Sequence, residues 1–152
     1  MSTKRKSIVK SLIDLDAEVN SRDREGESPL HKTCISGDYE LLKMLLSTRK
    51  SEINLQNCKG QTPLHLACRS GVANVIILLL EEKADIHKED EEGKSPLQVL
   101  LDMLRFIETR KIDFKYLNNV DEMKCLSTAY ERFGRIAILL LDSIVYDTKH
   151  KS

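Results

Sequence analysis

The chain has 152 residues, 41% hydrophobic and 32% charged, the composition of one ordinary globular domain. Lysine plus arginine and aspartate plus glutamate balance at 24 each, which argues against the basic stripe that duplex DNA binders carry. Aromatic residues make up only 5% and tryptophan is absent, so platforms for stacking single-stranded bases are scarce.

Lys4-Arg5-Lys6 opens the chain, and Lys10, Asp14, Asp16 and Glu18 then break up what would be the apolar stretch of a signal peptide. The basic triplet reads first as a flexible tail and second as a short nuclear signal. The longest apolar runs, Val75 to Leu80 and Ile136 to Leu141, fall far short of the roughly 20 residues a bilayer span needs. Cys34, Cys58, Cys68 and Cys125 read as free thiols in a reducing compartment. The expectation is an intracellular protein, cytoplasmic with possible nuclear access, contacting neither membrane nor nucleic acid.

The three prolines, Pro29, Pro63 and Pro96, are spaced 34 and 33 residues apart. Gly26, Gly60 and Gly93 each stand three residues before a proline, and Gly37 and Gly71 each stand eight after one. Only Gly134 falls outside this register. The aligned segments are Asp23-Arg24-Glu25-Gly26-Glu27-Ser28-Pro29-Leu30-His31, Asn57-Cys58-Lys59-Gly60-Gln61-Thr62-Pro63-Leu64-His65 and Asp90-Glu91-Glu92-Gly93-Lys94-Ser95-Pro96-Leu97-Gln98. This pattern resembles the ankyrin repeat, a module of about 33 residues made of a β-turn and two helices. The resemblance covers residues 8 to 101 and implies an all-α solenoid in a single domain, 1–152.

In chain order, residues 8–22 match the second half of a unit, with Leu12, Ile13, Ala17, Val19 and Asn20 at consensus places. Full units are expected at 23–56 and 57–89. Each opens on an Asp/Asn-x-x-Gly turn that projects a finger. Ser28, Thr62 and Ser95 are good N-caps, and each following proline falls at the first helical position, where its missing N–H costs nothing. Leu64, Ala67 and Cys68 make one apolar stripe, and Gly71, like Gly37, ends its helix in the left-handed conformation. A second helix carries Val75, Ile76, Leu79 and Leu80. Asp16 and Lys83 stand where glycine is usual after the second helix, at a cost of about 1 kcal/mol each.

Residues 90–145 are expected to form a degenerate unit with an insertion at about 105–123. Gln98 replaces the consensus histidine and Leu104 the glycine, so the first helix is expected to run on through Leu100, Leu101, Leu104 and Ile107. Gly134 to Asp142 resembles Gly71 to Glu81, with Val120 to Tyr130 as a possible degenerate first helix before it. Leu141 follows Leu80 by 61 residues, which implies about 28 inserted residues. Either a diverged terminal repeat caps the stack or this region is a loop-bearing module; the cap is favoured, with 146–152 as a flexible tail.

Candidate chemistry is sparse. His31 and His65 share one consensus place, where the resemblance implies a histidine bonded to its turn and the next unit. Cys34 and Cys68 are likewise equivalent and read as packing residues. Metal-ligand spacings and glycine-rich phosphate loops are absent from the sequence. No enzyme, cofactor or metal is expected. What remains is surface. The resemblance implies protein binding through finger tips and the concave face of the first helices. Here that surface is Arg22, Arg24, Glu25, Lys32, Ser36, Asp38 and Tyr39, then Cys58, Lys59, Gln61, Leu66, Arg69 and Ser70. Tyr39 and Arg69 are the expected anchors, since tyrosine and arginine dominate interface hot spots. Glu81 to Lys94 holds seven acids and three lysines, a solvated face or an acidic finger that steers a basic partner.

The expected function is therefore that of a monomeric inhibitor or adaptor. In outline the chain is similar to small inhibitors of Rel-type transcription factors, and in size to small cyclin-dependent-kinase inhibitors. The alternative is a scaffolding subunit held in an assembly by its apolar C-terminal segment.

Overall fold

A computed structural model describes residues 18–48, 50–113 and 120–150, with the side chains of 107–113 and 120–130 left aside. Residues 8–17 of the expected partial repeat, with Asp16, lie outside the described residues, as do the basic triplet and residues 151 and 152. Among the described residues the secondary structure is helical: α1 (Pro29–Ser36), α2 (Tyr39–Ser47), α3 (Pro63–Ser70), α4 (Ala73–Glu81), α5 (Pro96–Asp113) and α6 (Val120–His150). The fold is an all-α repeat solenoid. First helices stack on one another in the order α1, α3, α5, and second helices in the order α2, α4, α6.

Each finger is built from one short side chain that gathers the turn around it. Asp23 Oδ1 accepts from the N–H groups of Glu25 and Glu27 at 3.0 and 2.8 Å. Asn57 Oδ1 accepts from Lys59 and Gln61 at 3.0 and 2.9 Å, and Asp90 Oδ1 from Glu92 and Lys94 at 2.9 and 3.0 Å. Gly26, Gly60 and Gly93 supply the positive φ, about 70° in each case, that closes these turns. Successive fingers are tied by backbone bonds: Cys58 N–H donates to Glu25 O at 2.9 Å and Glu91 N–H to Lys59 O at 3.1 Å.

Histidine joins one unit to the next. The N–H of Ser28 donates to His31 Nδ1 at 3.1 Å, and that of Thr62 to His65 Nδ1 at 3.1 Å. Nδ1 is thus the acceptor, which leaves the proton on Nε2. That nitrogen donates to Gln61 O from His31 at 3.0 Å and to Lys94 O from His65 at 2.9 Å. Burial lowers the pKa of both rings below its ordinary value, in keeping with neutral structural histidines.

Leu30, Cys34, Leu42, Leu64, Ala67, Cys68, Val75, Ile76 and Leu79 form the continuous core of the first two full units. Lys83 adopts φ 65°, the left-handed conformation expected where glycine is usual. The N–H groups of Lys83 and Ala84 return to Leu80 O and Leu79 O at 3.1 and 2.9 Å, ending α4.

The C-terminal third differs from expectation in two ways. Val120–His150 is one helix of 31 residues, with Gly134 inside it at an ordinary φ rather than at a turn between two helices. The helical period runs through Gly134 without interruption, and an interior glycine costs only about 1 kcal/mol. The second helix of the third unit is the part of α6 on which Phe133, Ile136, Ala137 and Leu140 are buried. These stand 61 residues beyond Val72, Val75, Ile76 and Leu79. The extra residues therefore lie between the two helices of one unit, and α5 reaches 18 residues where α1 and α3 have eight. Residues 146–150, read as a flexible tail, continue α6. Lys149 falls in its last turn, where positive charge suits the helix dipole, and Tyr146 stacks on His150 at 4.0 Å.

Candidate functional site

A groove of about 500 Å³ opens between the first two fingers and the exposed side of α1 and α3. The fingers contribute Arg24, Glu25, Glu27, Asn57, Cys58, Lys59 and Gln61; the helices contribute Ile35, Leu66, Arg69 and Ser70. Leu66 is 5% exposed and belongs to the core, whereas Ile35 is 49% exposed. Asn57 and Gln61 are buried and serve the turn. Ser70 Oγ donates to Cys34 O and Ala67 O, both at 3.0 Å, which fixes the end of α3 against α1.

Of the residues expected to bind a partner, Arg24, Lys59, Gln61, Leu66, Arg69 and Ser70 come together here, with Glu25 and Cys58. Arg22, Lys32, Ser36, Asp38 and Tyr39 do not line the groove, and each has a local task. The Arg22 guanidinium donates to Gly26 O at 3.1 Å and to Gln56 O. Lys32 Nζ lies 2.6 Å from Asp23 and 2.7 Å from Glu27. These bonds raise the lysine's pKa and hold the Asp23 carboxyl below its ordinary value. Ser36 Oγ donates to Thr33 O, and Asp38 caps α2 by accepting from Leu41 N–H at 3.0 Å. Tyr39 is half-buried against the core, so it is no free anchor.

Three lining residues were not among the expected binding residues: Asn57, read only as the residue that opens its turn, Glu27 and Ile35. Glu27 sits one place before an N-cap and gives no signal. Ile35 was passed over in its helix, yet it stands 34 residues before Arg69 and 67 before Asp102, in a column otherwise filled by charges. Comparing units column by column would have exposed it.

The family model for ankyrin repeats in three copies matches residues 1–90 and 35–111. The chain belongs to the ankyrin-repeat family. A comparison with curated proteins finds no match. Ankyrin repeats are protein–protein interaction modules and are typically not enzymes. Among the described residues, no His, Cys, Asp and Glu cluster could hold a metal ion, and no helix is long and apolar enough to cross a membrane.

Proposed function

We propose that this ankyrin-repeat chain works as an inhibitor or adaptor that masks a surface of an intracellular signalling or transcription protein, with Rel-type transcription factors the leading class. The observation that supports it is the groove, where the side chains of Arg24, Lys59, Arg69 and Ile35 are exposed. The test is a binding and DNA-displacement assay with a purified Rel-type DNA-binding domain, using the intact chain and an Arg24→Ala, Arg69→Ala variant. Displacement by the intact chain and its loss in the variant are expected. No displacement by the intact chain would remove the Rel class, and displacement by the variant would remove the groove.

A second reading, a scaffolding subunit, is favoured by the end of the stack. Leu101 is 46% exposed where the preceding unit has Cys68 at 0%, and Ile138 and Leu141 are 60% and 48% exposed on α6. Leu140 is fully buried and is no test of this face; Ile138→Asp is. Sedimentation at high concentration separates the readings: association abolished by Ile138→Asp favours the scaffold, and a monomer counts against it.

A further inference from the structure

Arg24, Lys59 and Arg69 surround the groove without an ion-pair partner among the described residues. The nearby carboxylates are committed elsewhere. Glu27 and Asp23 share Lys32, and Asp23 also gathers its own turn. In the third unit Glu92 and Asp102 both hold Lys94, at 2.9 and 2.8 Å, while the Asp90 carboxylate is occupied by turn N–H groups. Of the seven acids between Glu81 and Lys94, Glu92 is ion-paired and Asp90 is taken up by its own turn, and none of the seven lines the groove. Glu25 is the lining carboxylate left to oppose the three cations.

We infer that the groove takes an extended acidic peptide segment of its partner, with carboxylates against Arg24, Lys59 and Arg69 and an apolar side chain on Ile35. The inference rests on the groove being the partner surface and adds the charge and kind of segment. Guanidinium groups bind carboxylates through two parallel hydrogen bonds, so arginine favours this chemistry. The bond from Cys58 N–H to Glu25 O locks the two fingers together, so Arg24 and Lys59 are positioned before binding. Among the described residues no aromatic side chain lines the groove, which disfavours nucleic-acid bases as the occupant.

The test is a phage-displayed dodecapeptide library selected on the full chain and counter-selected on an Arg24→Ala, Lys59→Ala, Arg69→Ala variant, with Arg69→Ala alone as the milder control. All three residues are exposed, and thermal unfolding checks that each variant folds. Sequences lost on the variant are expected to be rich in Asp and Glu around an apolar residue. A synthetic peptide of that kind should bind at least about tenfold more weakly to Arg69→Ala and to Ile35→Ser, and more weakly in high salt. Variant-sensitive sequences that are neutral or basic would overturn the acidic segment while leaving the groove as the partner surface. A library with no variant-sensitive sequence would overturn both. A fluorescent oligothymidylate that binds the chain but not the variant would make the occupant a nucleic acid, and that too overturns the inference.

Discussion

The ring of Phe133 rests on Gly71 as the side chain of Val72 rests on Gly37. A methyl group on Gly71 would fall 2.5 Å from the Phe133 ring, and one on Gly37 would fall 2.9 Å from Val72. Both glycines have positive φ, 66° and 71°, and both end a first helix where the next unit's second helix begins its packing. The contact puts α6 in register with the repeats although 61 residues separate Phe133 from Val72.

Gly71→Ala should cost about 2–4 kcal/mol, combining a strained φ with overpacking against a buried ring. Phe133 is only 4% exposed and has nowhere to swing. Gly93 has the same sign of φ with open space around it, so Gly93→Ala should cost only about 1 kcal/mol. Denaturant unfolding measures both. Adding Phe133→Leu to Gly71→Ala should recover part of the loss, and equal costs at the two glycines would refute the packing argument.

Two substitutions should stabilise the chain, for opposite reasons. Gly134→Ala places a better helix former inside α6, where nothing lies within 4 Å of the new methyl, and should gain about 0.5–1 kcal/mol. Were Gly134 a left-handed cap, the same change would destabilise. Lys83→Gly relieves a side chain at φ 65° and should gain up to about 1 kcal/mol. Thermal unfolding decides each sign.

The first two full units could be read from the sequence because their turns and caps demand particular residue types. Positive φ at Gly26, Gly37, Gly60 and Gly71 calls for glycine, and the first helical position favours Pro29 and Pro63. The third unit obscured its own register. Gly134 aligns with Gly71 at an offset of 63, but the packing follows Phe133, Ile136, Ala137 and Leu140 at 61. A helix interior accepts glycine at modest cost, so that residue type carried no positional information there. The groove was half visible for a similar reason. Exposed arginines are easily placed, whereas Tyr39 packing inward and Ile35 facing outward depend on how neighbouring units stack.

Cysteine reactivity should divide by burial. Cys58 is exposed at the groove, whereas Cys34 and Cys68 are buried. Burial pushes the Cys34 thiol up to about 12 and raises that of Cys68 as well, so neither forms the reactive thiolate near neutral pH. Brief alkylation followed by peptide mapping should mark Cys58 first, and Cys34 and Cys68 only after unfolding. The side chain of Cys125 lies outside the described residues. Labelling of Cys34 at the rate of Cys58 in the native chain would contradict the packing of α1 on α3.

The histidine bridges predict a pH dependence with a definite sign. His31 and His65 have folded pKa values below the unfolded value of about 6.5, because burial disfavours the charged ring. The unfolded chain therefore binds more protons as pH falls through that value, so stability is full above it and declines below it. Protonation also puts a hydrogen on Nδ1, where the N–H of Ser28 or Thr62 already points. The third unit suggests the control: Gln98 Oε1 accepts from Ser95 N–H at 2.7 Å, which preserves the cap without a titrating ring. Replacing both histidines by glutamine should cost about 1 kcal/mol per lost bridge at pH 7.5. It should also flatten the decline between about pH 6.5 and 5, above the range where most carboxylates titrate. Urea unfolding at pH 5.5, 6.5 and 7.5 tests this; an equally steep decline in the double variant would place the acid sensitivity elsewhere in the chain.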